Sequence, residues 1–244
     1  MKTDRSNFQA IVFSAGLGTR FKPWTDSHPK ALAMVNGKSL LQTNIEYLQK
    51  FNITDVVVNV HHFPEQIVAT IDENNGWGSN VLISDERNEL LETGGGLLKA
   101  KQFLKRDFVT VNVDILTDLN LPSLISFHQQ QNALITLAVA ERQTTRFLLF
   151  DKQNQLCGWR NTDPFREKIV IEQDEYIQRA YSGIAAFSHE VLNIIPFTGK
   201  FSLIDVFLAL APTQKVCGFD HTGDKFIDVG KPGSVEEAEK LFKD

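Results

Sequence analysis

Residues 8–33, Phe-Gln-Ala-Ile-Val-Phe-Ser-Ala-Gly-Leu-Gly-Thr-Arg-Phe-Lys-Pro-Trp-Thr-Asp-Ser-His-Pro-Lys-Ala-Leu-Ala, run from an apolar stretch through a glycine turn to a lone arginine and a Pro-Lys step. Ala10 to Phe13 are an apolar run of the kind that fits a strand covered on both faces. Gly16 and Gly18 then let backbone N–H groups approach a polyphosphate with no Cβ in the way. Arg20 offers a planar fork of donors for phosphate oxygens, and Lys30 a mobile point charge. This order is what a nucleoside triphosphate site needs. Two commoner glycine loops fail on position. A dinucleotide fingerprint requires a third glycine where Phe21 stands, and a Walker A loop ending at Gly37-Lys38-Ser39 requires one where Leu32 stands. Asn36-Gly37-Lys38 reads instead as an ordinary turn.

Outward from this stretch the chain keeps a βαβ rhythm. Leu40, Leu41, Ile45, Leu48 and Phe51 fall near helical period within residues 39–51, and residues 53–60 carry the β-branched run Val56-Val57-Val58. A helix is expected from Pro64 to Ile71, a glycine-rich turn at 74–78 and a strand at 80–84. Gly94-Gly95-Gly96 is expected to open a helix running to Leu104, followed by an apolar strand at 108–113 that stops at Asp114. Strands alternating with helices predict an α/β fold with a mainly parallel sheet, whose ligands collect beyond the carboxyl ends of the strands. The second half is less regular. Strands are expected at 133–140, 146–150, 156–160 and 181–187, the middle two joined as a hairpin by a turn at 151–155. The charged residues 161–178, with Pro164, read as a surface excursion. Phe226-Ile227-Asp228 reads as a short strand, and Ser234 with Glu237 as a capping box for a closing helix.

Asp114 and Asp228 each end a hydrophobic strand, where the sheet would present them to its crevice. Mg2+ takes hard oxygen ligands, commonly one or two carboxylates, and completes its shell with water and substrate phosphate. A pair of strand-end carboxylates suits that ion; a loop cap is the alternative for either one alone. Leu91-Glu92-Thr93-Gly94-Gly95-Gly96 is a second place where backbone can approach a flat ligand, and is assigned to the nucleobase side. His61-His62 lack any helical His-x-x-x-His or cysteine partner for zinc and read as packed or surface histidines.

Composition narrows the class. The chain has 244 residues, 42% of them hydrophobic and 23% charged, with a net charge of −5. That balance predicts no wide nucleic-acid or membrane contact. Cys157 and Cys217 lie far apart in no Cys-x-x-Cys pattern and read as buried free thiols. No signal-like apolar region follows Met1 to Arg5 and no run approaches membrane-spanning length, so a cytoplasmic setting is expected.

Ser14-Ala15-Gly16-Leu17-Gly18-Thr19-Arg20, Pro29-Lys30, Leu91 to Gly96, Val111-Asn112-Val113-Asp114, Ser182-Gly183-Ile184 and Ile227-Asp228-Val229-Gly230 resemble the sugar-1-phosphate nucleotidyltransferases over nearly the whole chain. Their order is most like that of the enzymes that uridylylate N-acetylmuramate 1-phosphate for cell-wall recycling, with mannose- and heptose-phosphate guanylyltransferases next. The resemblance implies a Rossmann-like mixed sheet, mostly parallel, flanked by helices, with a smaller irregular β-rich sugar-binding lobe. It implies one domain over residues 1–244, a nucleotide-binding half at about 8–118 and a sugar-binding half at about 119–244. Ala15 and Gly16 would contact the nucleoside, Gly18, Thr19 and Arg20 the β- and γ-phosphates, and Lys30 the α-phosphate, with Arg20 and Lys30 as the catalytic cations. Asp114 and Asp228 would hold Mg2+, Glu92, Thr93 and Gly94 would line the base side, and Asn112 and Gly183 would face the nucleotide or sugar. The reaction implied is attack of a sugar 1-phosphate on the α-phosphorus of a nucleoside triphosphate such as UTP. A non-catalytic nucleotide-sugar-binding subunit is the rival of another class, and retention of Arg20, Lys30 and both aspartates argues against it.

Some positions depart from the pattern. Val113 replaces the glycine that commonly precedes the metal aspartate, and the loop after Arg20 reads Phe-Lys-Pro-Trp. Trp159 and Arg160 stand where many relatives carry an acidic residue for sugar hydroxyls. They suit an acidic sugar by stacking and a charge-assisted bond; hairpin packing of Trp159 and solvation of Arg160 is the alternative. Sugar choice is expected to rest on residues 142–183, base choice on the backbone around Ala15 and Glu92. No hexapeptide-repeat stretch follows, so no fused acyltransferase is expected.

Overall fold

A computed structural model describes residues 7–243; the charged start read above, Met1 to Arg5, lies outside them. The elements run β1 (Gln9–Phe13), β2 (Met34–Val35), β3 (Lys38–Ser39), α1 (Leu40–Gln49), β4 (Asp55–Val60), α2 (Pro64–Glu73), β5 (Asn80–Asp85), α3 (Glu92–Ala100) and β6 (Phe108–Asn112). They continue with β7 (Ile115–Thr117), α4 (Leu121–Gln130), β8 (Ile135–Ala140), β9 (Arg146–Phe150), β10 (Leu156–Thr162), β11 (Phe165–Ile169), β12 (Ile177–Phe187), α5 (Leu203–Leu210), β13 (Val216–Asp220), β14 (Phe226–Asp228) and α6 (Gly233–Leu241).

Every residue of β1 is buried, as its unbroken apolar run requires. Its odd and even residues feed two different cores: Ala10 and Val12 pack under α1, whereas Ile11 and Phe13 pack toward α3 and α5. Layered this way, the two cores are separated by the sheet and not by the halves of the chain. β5, β4, β1 and β6 are parallel neighbours. β12 then runs antiparallel to β6, β8 and β9, and β13 lies parallel to β8. Within this ten-stranded sheet β12 and β10 run against the direction the other strands share. Because β12 joins β6 to the β-rich portion β9–β10–β11, the second half is a continuation of the first half's sheet.

Local chemistry accounts for the starts and turns. Ser39 caps α1 by accepting from the Gln42 N–H. The turn expected at Asn36-Gly37-Lys38 is a two-residue hairpin turn between β2 and β3, with Asn36 and Gly37 at φ 49° and 75°. Cys157 and Cys217 are buried free thiols.

Four expectations are corrected. α3 begins at Glu92 and ends at Ala100, so the glycine triplet lies inside the helix and its end falls short of Leu104. The stretch 161–178 is not a plain excursion, because β11 pairs with β10 in it. Ser234 caps nothing: its hydroxyl donates to the Lys231 carbonyl and α6 starts after Pro232. The capping box belongs to α5, where Ser202 and Asp205 exchange bonds. Last, β14, which carries Asp228, pairs with β7 in a two-stranded ribbon outside the large sheet.

Candidate active site

The glycine loop leaves the carboxyl end of β1 and is pinned at once. Asn59, near the end of β4, accepts the Ser14 and Ala15 N–H groups on its Oδ1, at 2.7 and 3.3 Å. Its amide nitrogen donates to Glu86, whose other carboxylate oxygen accepts the Leu91 N–H. Glu86 is fully buried, and burial pushes its carboxyl up. This chain of bonds ties the glycine loop to the segment leading into α3. At Gly18 the backbone is left-handed, φ 60°, and a Cβ there would come within 2.9 Å of Thr25 and 3.1 Å of Lys30. The turn that presents Arg20 therefore requires glycine.

Charges gather where β1, β6 and the β7–β14 ribbon meet. Lys30 is 8% exposed and its Nζ donates to Asp114 Oδ2 at 2.6 Å. The Asp114 carbonyl accepts the Val229 N–H, which joins the end of β14 to the end of β6. Asp228 follows from that junction. Desolvation first and the Asp114 charge second push its carboxyl above the usual range, against the pull of Lys30, Arg20 and Arg142. Gly230 completes the corner, since a Cβ there would lie 2.8 Å from Asp228 and 2.9 Å from the Arg20 guanidinium. Asp228 and the Asp114 carboxylate whose charge it feels are a hard-oxygen pair suited to a divalent cation. Among the described residues no third acidic, His or Cys group joins them, so the remaining positions would fall to water and substrate oxygens.

Two cavities open from this corner and share Arg20. The smaller, about 420 Å3, is lined by Ala15, Gly16, Gly18, Thr19, Arg20, Lys30, Asn59, Glu92, Thr93, Asn112, Asp114 and Gly230, among others. The larger, about 950 Å3, is lined by Arg20, Arg142, Arg146, Trp159, Lys168, Tyr181, Asp205 and Asp228, among others. Most of the predicted residues are thus brought together, and Asp228 faces the larger space.

Gly94 and Gly183 line neither cavity. Gly94 donates its N–H to the Phe201 carbonyl, and a Cβ on it would come 2.8 Å from the Ser202 carbonyl oxygen. Gly94 and Gly95 therefore allow close packing of α3 on the segment before α5, and Gly96 allows close packing on the Glu86 and Asn59 side chains. Gly183 sits at φ 73° in a bulge of β12 and leaves room for the Asn112 side chain, 2.9 Å from where its Cβ would be. Trp159 does face the larger cavity. Arg160, on the opposite face of β10, is paired with Glu167. His61 and His62 hold the Glu86 and Thr25 carbonyls and are packed, as expected. Sequence reasoning missed Asn59, Glu86, Arg142 and Gly230. Of these only Gly230 stood in a motif; the others are single polar residues whose meaning comes from contacts across the sheet.

Comparison with known proteins bears on the family and the fold. The family model described as nucleotidyl transferase matches residues 9–244. An N-acetylmuramate alpha-1-phosphate uridylyltransferase from Caulobacter vibrioides is 32% identical over 241 residues, covering 94% of this chain and 95% of that one. A mannose-1-phosphate guanyltransferase from Yarrowia lipolytica is 28% identical, covering 92% of this chain, which spans only 61% of that longer relative. Among solved structures, HddC from Yersinia pseudotuberculosis complexed with GMP-PN superposes with a TM-score of 0.77 at 23% identity, over 97% of this chain and 100% of that one. The inositol-1-phosphate CTP transferase from T. maritima does so with 0.77 at 18% identity, over 98% of each. At those identities the superpositions speak for the fold.

Proposed function

The chain belongs to the nucleotidyl transferase family as a sugar-1-phosphate nucleotidyltransferase, and on that premise we propose that it transfers the uridylyl group of UTP to N-acetylmuramate 1-phosphate. The observation that carries the reading is the single corner where the glycine loop, Arg20, Lys30–Asp114 and Asp228 meet between two cavities. In this reading the smaller cavity takes the triphosphate and the larger one the sugar phosphate. The nucleotide half is about 8–118 and the sugar half about 119–244.

Ala15 and Gly16 lie against the nucleoside, with Glu92 and Thr93 on the base side. Gly18, Thr19 and Arg20 hold the β- and γ-phosphates by backbone N–H groups and the guanidinium fork. Lys30 leaves Asp114 to follow the α-phosphate, and Asn112 faces the junction with the sugar. Asp114 and Asp228 would hold Mg2+, which supplies Lewis-acid charge neutralisation when bound. A sugar-phosphate oxygen forms a bond to the α-phosphorus while the bond from that phosphorus to the bridging oxygen breaks, and pyrophosphate leaves with the electron pair. Positioning and charge provide the catalysis, and no protein nucleophile is needed.

The choice of UTP and N-acetylmuramate 1-phosphate rests on the whole-length similarity to the Caulobacter relative. Guanylyl transfer to a mannose-type phosphate is the second reading, favoured by the guanyltransferase relatives. Pyrophosphate release with Mg2+ tests both. UTP, GTP, dTTP and CTP are crossed with N-acetylmuramate, N-acetylglucosamine, mannose and glucose 1-phosphates. Release confined to UTP with N-acetylmuramate 1-phosphate is expected. Release only from GTP with mannose 1-phosphate would replace the proposal by the second reading. Silence throughout, with a nucleotide sugar still binding, would overturn it in favour of a non-catalytic subunit.

A further inference from the structure

The larger cavity holds more positive charge than its own acids neutralise. Of its two acids, Asp205 is engaged at the start of α5, where Oδ2 accepts from the Ser202 N–H and hydroxyl. Asp228 is answered by Arg20 and Arg142 at the corner shared with the smaller cavity. Arg142 is itself fixed, donating to the Tyr181 carbonyl at 2.9 Å and standing 4.7 Å over the Phe226 ring. Arg146 and Lys168 are left over. Both are exposed, both line the cavity, and among the described residues neither has an ion-pair partner.

Strand register shows that this pair frames a ring. Leu148, Trp159 and Lys168 are direct neighbours across β9, β10 and β11, and Arg146 stands one pair along on the same face, opposite Asn161. The cations thus flank half-buried Trp159, a flat apolar surface for a sugar ring, on a wall of the cavity separate from the Asp114 corner. Arg142, beside Asp228 at the corner, is after Arg20 the cation of this cavity nearest the transfer site and is assigned to the phosphate of the sugar 1-phosphate. We propose that Arg146 and Lys168 recognise a second anionic group, a carboxylate carried on the sugar ring, and so select an acidic sugar 1-phosphate over its neutral counterpart. The inference rests on the proposed nucleotidyl transfer and deepens it by naming the residues that read the sugar.

N-acetylmuramate 1-phosphate and N-acetylglucosamine 1-phosphate differ only in the carboxylate-bearing lactyl ether, so they form a matched pair of probes. With UTP and Mg2+, kcat/KM is measured for both sugars in the wild type, Arg146→Ala/Lys168→Ala and the charge-keeping Arg146→Lys. Loss of charge-assisted hydrogen bonds is expected to lower kcat/KM for the acidic sugar about 10- to 100-fold. The neutral sugar should be little affected, and Arg146→Lys should keep most of the preference. An equal fall for both sugars, or an intact preference, overturns the inference, as does a wild type that turns over the neutral sugar only. A wild type that releases pyrophosphate from neither sugar strikes the reaction instead. Equilibrium binding of the same two sugar phosphates to the same variants then supports or overturns the inference by the same ratio. Both side chains are exposed, and unchanged circular dichroism checks that the variants remain folded.

Discussion

Gly95 and Gly16 are glycine for different reasons, and alanine at each separates them. A Cβ on Gly95 would run into the Gly199 carbonyl oxygen and come 3.0 Å from Leu91, with fixed backbone on one side. Alanine gains about 1 kcal/mol of helix propensity at a position inside α3. Overpacking against backbone costs about 1–3 kcal/mol or somewhat more, and a carbonyl that cannot step aside puts this case at the upper end. The net loss is about 2 kcal/mol, which in a chain of this size lowers Tm by about 4–8 °C. Gly16 has nothing within 4 Å of its Cβ position and a backbone open to any residue. Alanine there leaves Tm unchanged or raises stability by about 0.4–1 kcal/mol through the unfolded chain, yet its methyl group enters the space assigned to the nucleotide. Thermal melts and the KM for UTP, measured on both variants, give the comparison. Gly95→Ala should lose stability, and Gly16→Ala should raise KM at full stability. A Gly95→Ala protein with an unchanged melt and a raised KM would refute the packing argument and return the triplet to the ligand.

Other outcomes follow from the same contacts. Asp114→Asn and Asp228→Asn should each lower kcat by orders of magnitude with Mg2+ while leaving the circular dichroism spectrum intact; near-normal metal-dependent turnover would remove both from the site. Glu86→Gln places an amide NH2 against a donor, either Asn59 Nδ2 or the Leu91 N–H. Stability should fall by about 1–3 kcal/mol and KM for the triphosphate should rise, as seen by urea melts and steady-state kinetics. Burial lowers the proton affinity of His128 and His221 in the folded chain below their ordinary 6.5. The unfolded chain therefore takes up protons first, and stability present above pH 6.5 declines as the pH falls below it. Urea midpoints from pH 8 to about 5.5 should drop, and a His128→Gln/His221→Gln protein should show a flatter profile.

The corner where the glycine loop meets the end of β6 was readable because its parts are local in sequence. Gly18, Arg20, Lys30 and Asp114 sit in short motifs next to buried strands, and strand direction then brings those strand ends together. The apolar run of β1 and the helical period of α1 needed no tertiary information either. Other features were hidden by physics that acts at a distance. β11, Phe-Arg-Glu-Lys-Ile, is an edge strand with most of its residues exposed, so its charges look like a loop although they protect an edge. The Gly94–Gly96 run looks like a ligand loop, and only the distant Gly199–Ser202 segment, at Gly94 and Gly95, and the Asn59 and Glu86 side chains, at Gly96, reveal why side chains are excluded. Ser234-x-x-Glu237 imitates a capping box that Ser202-x-x-Asp205 forms. The strand-end aspartates were legible, but the pairing that delivers Asp228 joins residues far apart in the chain, through β14 and β7. Trp159 and Arg160 are adjacent in sequence and opposite in space, because strand residues alternate faces.

Label transfer from UTP tests the proposed chemistry most directly. The protein is incubated with Mg2+, N-acetylmuramate 1-phosphate and UTP labelled with 32P at either the α- or the γ-position, and the products are separated. Attack at the α-phosphorus predicts that the α-label appears in the nucleotide sugar and the γ-label in pyrophosphate. A γ-label found on the sugar phosphate, or an α-label that never leaves the nucleotide pool, would contradict the account.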